Sequence, residues 1–129
     1  MILDNKIDKL YKYAVPCVDL ISRPKKHVSL ILRKNQVVSV GTNDNRTHPL
    51  AKKYGYRNDE VHSELDALLR YRGPKDGLTL VNFRFNPKKQ IRMSRPCPIC
   101  IGWCLAIFDD IYYTTSKGFV KMDLTDNIQ

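Results

Sequence analysis

Two helix patterns organise this chain, HSELDALLRYR at residues 62–72 and CPICIGWCLAIF at residues 97–108. Apolar side chains recur in both stretches at helical spacing. Gly73-Pro74 ends the first pattern, because glycine and proline mark helix ends. We therefore expect two helices that begin at His62 and at Cys97, each on a residue type that can bind a metal.

The rest of the chain supplies strand patterns around these helices. A helix pattern over residues 3–21, interrupted by Pro16, comes first. Lys34-Asn35 lies between the first two strands and fits a tight hairpin. The strands are expected at residues 28–33, 36–41, 78–85, 110–115 and 119–124. The order α-β-β-α-β-α-β-β predicts one α/β domain over residues 1–129, with helices packed on the faces of a central sheet.

The connection between the last two strands determines the direction of the final strand. About three residues join them, and a parallel crossover needs a dozen or more. The last strand should therefore run antiparallel to its neighbour in a mixed five-stranded sheet. Residues 42–61 form a long polar connection, and loops of this length in a small domain are usually functional.

Composition limits the class of protein. The chain has 129 residues, of which 43% are hydrophobic and 27% charged, as in a soluble globular domain. No apolar run approaches the roughly 18 residues that suggest a membrane span, and the N-terminal residues lack the apolar core of a secretory signal. These features predict a cytoplasmic protein with no membrane partner.

The formal net charge of +9 favours an anionic partner or a phosphorylated substrate. A small-molecule nucleotide and a nucleic acid fit equally, and a lysine-rich soluble surface is the alternative to both. Residues 84–95 contain no acidic residue and lead directly into Pro96-Cys97, and Arg46 and His48 lie in the other long loop. The basic residues of the first loop are Arg84, Lys88, Lys89, Arg92 and Arg95. Two basic loops on one rim would suit a substrate phosphate.

Three of the four cysteines lie within eight residues, which favours metal binding over a disulfide framework. Cys97 and Cys100, at i and i+3, share one helix face, and His62 supplies a third ligand. Three ligands leave the fourth tetrahedral position of Zn²⁺ to water, as a catalytic zinc site requires. Glu64 is close enough to His62 to serve as the general base without being a ligand. A structural zinc site with Cys104 as its fourth ligand is the alternative.

These residues match the pattern H-x-E…P-C-x-x-C of zinc-dependent base deaminases. From about residue 5 to 124 the chain resembles the cytidine deaminase-like superfamily, and its Gly41-Thr42-Asn43 and Ser94-Arg95-Pro96-Cys97 stretches are similar to small deaminase domains of phages and bacteria. The resemblance implies a three-layer α/β sandwich, Zn²⁺ on His62, Cys97 and Cys100, Glu64 as the proton shuttle, and homo-oligomers. It implies deamination of a cytosine-type base in a (deoxy)cytidine nucleoside or nucleotide. The alternative is a polynucleotide cytosine or adenine deaminase acting on single-stranded DNA or RNA.

The resemblance also implies contacts to the substrate. Asn43 matches an asparagine that contacts the sugar. The backbone N–H of Ser63 matches a donor to the base carbonyl, and the carbonyl of Arg95 matches an acceptor for the departing amine. Tyr112 or Tyr113 would stack on the base or flank the sugar, unless both simply pack against helices. Arg46 and His48 would contact phosphate, and a turn-capping role is the alternative for His48.

Overall fold

The computed structural model describes residues 4–21, 25–43 and 62–122. The elements follow the predicted order, and the bounds of two strands coincide with the prediction. Pro16 lies inside the first helix, near its C-terminal end, and does not end it earlier. The elements are α1 (Asp4–Val18), β1 (Lys26–Arg33), β2 (Gln36–Thr42), α2 (Ser63–Arg70), β3 (Leu78–Phe85), α3 (Pro98–Ile107), β4 (Asp110–Thr115) and β5 (Gly118–Lys121).

The strands form one five-stranded mixed sheet in the order β2-β1-β3-β4-β5. β3 and β4 run parallel, whereas β5 pairs antiparallel with β4, as the short connection predicts. Lys34 and Asn35 have φ values of 53° and 64°, the left-handed conformation that a two-residue hairpin turn of type I′ requires. The mixed sheet, the antiparallel last strand and the tight hairpin are therefore confirmed.

Helices cover both faces of the sheet and give the predicted three layers. α1 packs on one face through Leu10, Ala14 and Val18, against β-strand residues such as Leu30 and Phe83. α2 and α3 pack on the opposite face, where the buried residues include Leu65, Leu68, Cys100, Ile31, Leu80 and Ile111. Because α2 and α3 share one face, their N-termini can form one site.

Side-chain alternation along β1 places polar residues on the α2–α3 face. Val28 and Leu30 pack in the α1-side core, so His27, Ser29 and Ile31 point to the other side. None of the helices in the described parts of the chain is both long and apolar enough to cross a membrane.

Candidate metal centre

Both candidate metal-binding motifs begin at helix N-termini. His62 is the N-cap of α2 and Cys97 the N-cap of α3, and both have extended backbone conformations. Pro98 occupies the first turn of α3, where its missing N–H costs no helical hydrogen bond. The partial positive charge of a helix N-terminus favours thiolates and other anions, so both ends suit a metal site with anionic ligands.

Ser94 brings the second motif to the sheet. β3 and β4 pair as far as Asn82 and Tyr113, and Ser94 is bonded to both strands where this pairing ends. Its Oγ donates to the Asn82 carbonyl at 2.8 Å, and its N–H donates to the Thr114 carbonyl at 2.8 Å. Residues 95–97 therefore lie beyond the carboxyl ends of the parallel strands, the usual place for ligands in open α/β sheets.

His62, Cys97 and Cys100 form a group whose three ligand atoms lie within 4.8 Å of one another. Nδ1 of His62 is 3.7 Å from Sγ of Cys97 and 3.5 Å from Sγ of Cys100. Tetrahedral zinc with ordinary Zn–N and Zn–S bond lengths would hold such a pair of atoms about 3.6 Å apart. The three residues therefore fit a zinc ion in both ligand type and spacing.

The thiol of Cys104 differs in pKa from that of Cys97. Hydrogen bonding with Cys100 lowers the pKa of Cys97 to about 4, with His62 adding to the effect and burial opposing it. Burial raises the pKa of Cys104, which is fully buried in the core below α3. Within the described residues Cys104 is not part of the metal group, so this group does not support the alternative of Cys104 as a fourth ligand.

Glu64 lies at the end of a chain of buried polar side chains. Its carboxylate, in a residue only 6% exposed, accepts a hydrogen bond of 3.0 Å from Ser63 Oγ. Ser63 Oγ lies 2.8 Å from Ser29 Oγ, which donates to Asn82 Oδ1 at 2.6 Å. Asn82 Nδ2 donates to the Ser94 carbonyl, so the chain runs from Glu64 to the segment that carries Cys97. These contacts hold the carboxylate in place in the first turn of α2, two residues after His62.

Sequence reasoning missed Ser29 and Asn82, although a signal was present. Each is a polar residue inside an apolar strand pattern, VSLILR for β1 and LTLVNFRF for β3. Buried polar groups are normally hydrogen-bonded, so a polar residue at a core-facing strand position predicts a partner from a neighbouring element.

The predicted substrate contacts fall in different places. Asn43 follows β2, and its side chain binds the backbone of β1, accepting from His27 N–H and donating to the Lys25 carbonyl. Arg95 is exposed just before Pro96, and Tyr113 is half-buried against the cluster that includes the two ligand cysteines. Arg46 and His48 lie outside the described residues.

Tyr112 is on the wrong face for its predicted contact. It is 6% exposed and packs in the α1-side core, with the sheet between it and the metal group. A side chain there cannot stack on a base bound at the ligands, so the prediction of base contact remains for Tyr113 alone.

Gly41 sets how closely α2 approaches the sheet. A Cβ at this position would overlap the backbone of Ser63 and Ala67, coming within 2.8 Å of the Ala67 Cα. Gly41→Ala should therefore push the first turn of α2 outward and destabilise the fold by about 2 kcal/mol or more. Zinc content should fall as well, because His62 adjoins the displaced turn. Thermal denaturation and metal analysis measure the two effects.

Gly102 provides the matched control for Gly41. It is an exposed glycine of α3, and a Cβ there would meet nothing within 4 Å. Gly102→Ala should raise stability by about 0.5–1 kcal/mol through helix propensity and leave zinc bound. Equal stability changes in the two variants would contradict the close packing at Gly41.

Comparison with known proteins identifies the fold. No protein-family model matches the chain, and no curated protein matches its sequence. The chain is similar in structure to the dCMP deaminase of the cyanophage S-TIM5, with a TM-score of 0.62 and 17% identity over 88% of this chain and 86% of that one. It is also similar to the cytidine deaminase of Mycobacterium leprae, with a TM-score of 0.57 and 14% identity over 92% and 93% of the two chains. These similarities confirm the predicted cytidine deaminase-like fold.

Proposed function

We propose that this protein is a zinc-dependent hydrolytic deaminase that converts a cytosine-type base to uracil in a (deoxy)cytidine nucleoside or nucleotide. One observation carries the proposal: a His-Cys-Cys group with zinc spacing lies at two helix N-termini, and a buried glutamate stands two residues from its histidine. The fold supports it, and the two similar structures named above are a dCMP deaminase and a cytidine deaminase.

The donor set supports catalysis rather than a purely structural role. Three protein ligands leave one tetrahedral position open, whereas structural zinc sites are closed by four. Zinc in an open site supplies a water molecule made more acidic and ready for attack on the base. Two thiolates would weaken the zinc as a Lewis acid, so a nearby base is needed, and Glu64 would take this role.

Glu64 would move the protons of the reaction. Its carboxylate would take one proton from the attacking water and give it to the ring nitrogen as the new C–O bond forms. It would then take the proton of the new hydroxyl group and deliver it to the amine, which leaves as ammonia when the C–N bond breaks and the carbonyl forms. Ser63 Oγ holds the carboxylate through its hydrogen bond to Oε1. The proton shuttle thus needs no movement of α2, since the carboxylate and the ligand histidine belong to the same turn.

Backbone groups would orient the base. Ser63 is the first residue of α2, and N–H groups of the first helical turn have no partner within the helix. This N–H would donate to the base carbonyl, while the carbonyl of Arg95 would accept from the amine. Asn43 would contact the sugar, and Tyr113 would flank the base or the sugar.

An ammonia-release screen tests the proposal. The zinc-loaded protein should release ammonia from cytosine-containing nucleosides or nucleotides at rates well above those for adenine and guanine compounds. The screen includes cytidine, deoxycytidine, their mono- and triphosphates, single-stranded DNA and tRNA. Release from polynucleotides alone, with binding that falls steeply with salt, would instead establish the polynucleotide alternative. No release from any of them would overturn the proposal.

We further propose that one deaminase domain spans residues 1–129 and that it acts as a homo-oligomer in the cytoplasm. Light scattering of the purified protein tests the assembly, and a monomer at working concentration would contradict it.

A further inference from the structure

The sheet face below α2 changes from apolar to polar to basic side chains along the neighbouring strands β1 and β3. Residues of β1 and β3 lie directly opposite one another in the antiparallel register, and alternate pairs point to the α2–α3 side. The successive pairs on this side are Ile31–Leu80, Ser29–Asn82 and His27–Arg84. The first pair is part of the core, and Ser29 of the second pair lies 2.8 Å from Ser63, the residue before Glu64. The third pair therefore places two basic side chains just beyond the catalytic carboxylate.

The basic pair contains a buried hydrogen-bond donor that is not satisfied. The Nε atom of Arg84 is buried without a hydrogen-bond partner in the described structure. Its Nη1 makes one long contact, 3.5 Å, to the Met93 carbonyl. The ring of His27 makes no hydrogen bond within residues 4–21, 25–43 and 62–122. Buried donors are normally paired, so this arrangement favours an acceptor that binds here from outside the chain.

The charges near His27 favour an anion. Burial lowers the pKa of His27, and the positive charges of Arg84 and Lys25 lower it further. Glu64 is the one acidic group that opposes them among the described residues. A bound anion would relieve the repulsion between the cations and satisfy the donors of both side chains.

Asn43 connects this pair to the rest of the site. His27 N–H donates to Asn43 Oδ1 at 2.8 Å, and Asn43 N–H donates to the His27 carbonyl at 3.2 Å. The sugar contact proposed for Asn43 therefore lies directly beside the basic pair, as sugar and phosphate are neighbours in a nucleotide.

We propose that His27 and Arg84 form the phosphate subsite and that the preferred substrate is a nucleoside monophosphate rather than a nucleoside. This inference rests on the proposed function, which assigns the sugar contact to Asn43. Arginine binds phosphate through several N–H donors in a planar arrangement, and a histidine ring adds another donor. Both side chains are partly buried, which suits a terminal phosphate better than the phosphodiester of a passing strand.

Binding measurements test the subsite without requiring turnover. Calorimetry on the zinc-loaded protein compares uridine and deoxyuridine with their 5′-monophosphates, which are products and are not consumed. Arg84→Met should weaken monophosphate binding about tenfold or more, as expected for loss of a charge-assisted hydrogen bond, and change nucleoside binding less than about threefold. His27→Gln should give a smaller loss of the same kind, and Arg84→Lys should recover part of the affinity.

Arg33 provides the matched control. It lies at the other end of β1, on the same face, and pairs with Asp76 at 3.3 Å on the surface. Arg33→Met removes the same charge and should leave monophosphate binding unchanged. An equal loss in this variant would mean a general charge effect and would overturn the subsite.

Other outcomes distinguish a failure of the phosphate-subsite proposal from a failure of the deaminase proposal. Deamination with equal affinity for nucleoside and monophosphate would overturn the subsite and leave the deaminase proposal intact. A loss in Arg84→Met confined to single-stranded DNA would assign the pair to a polynucleotide and overturn the monophosphate. If Arg84→Met does not fold, the same comparisons on His27→Gln decide, since an unchanged monophosphate affinity there would contradict the proposal.

Discussion

Replacement of Glu64 by glutamine is expected to abolish turnover while zinc stays bound. The amide cannot take the proton of water or deliver one to the amine, and general acid–base catalysis is worth up to about 10⁴-fold. Glutamine has nearly the same size and keeps an oxygen that can accept from Ser63 Oγ, so the buried position is filled without a cavity. We therefore expect kcat to fall about 10³-fold or more, with little change in melting temperature.

Asp66 is the matched control for Glu64. It is another buried acid of α2, 1% exposed, but its carboxylate accepts from Thr42 N–H at 2.9 Å and from the Arg70 side chain. Asp66→Asn removes the same charge from the same helix and should lower stability, yet keep kcat within about tenfold of wild type. Ammonia release, zinc analysis and thermal denaturation measure the three quantities. If Glu64→Gln kept a tenth of the activity, Glu64 would not be the proton shuttle.

The predicted strand limits are most accurate where local sequence features, such as a turn residue, mark the ends of a strand. β3 and β4 have the predicted bounds, and Gly77 with φ 65° marks the turn before β3. α2 ends at Arg70, two residues earlier than predicted, because Tyr71 is already extended. The Tyr71 hydroxyl donates to the Pro74 carbonyl at 2.7 Å, a contact that no helical periodicity reveals.

The metal group was predictable because its information is local. Two cysteines three residues apart and a histidine two residues before a glutamate each form a short motif, and the fold needs only to bring the motifs together. The polar chain below Glu64 was not predictable in this way. The Ser29–Asn82 hydrogen bond joins residues 53 positions apart, and it depends on the register of β1 against β3.

The error at Tyr112 has the same origin. Alternation predicts that Tyr112 and Tyr113 point to opposite faces, but it cannot tell which face carries the metal. The packing of α1 on the sheet decides this, and Tyr112 belongs to the same buried cluster as residues of α1 such as Leu10.

Removal of a zinc ligand should have the second large effect. Cys97→Ser and His62→Ala should each reduce zinc from about one ion per chain to near zero, since a two-ligand site binds far more weakly than three ligands. The fold should lose stability at the same time, because metal binding free energy adds to folding free energy. Metal analysis after gel filtration gives the first quantity, and thermal denaturation with and without added zinc gives the second.

A control variant at Cys104 and the effect of zinc on the melting temperature show whether the loss is specific to the ligand residues. Cys104 is fully buried in the same helix as Cys100, but it lies outside the metal group of the described residues. Cys104→Ala should cost about 1 kcal/mol of packing and keep both the zinc and its stabilising effect. Cys97→Ser should instead show the same melting temperature with and without zinc, because an ion that does not bind the folded state cannot stabilise it. Full zinc content in Cys97→Ser, or its loss in Cys104→Ala, would place the metal on other residues.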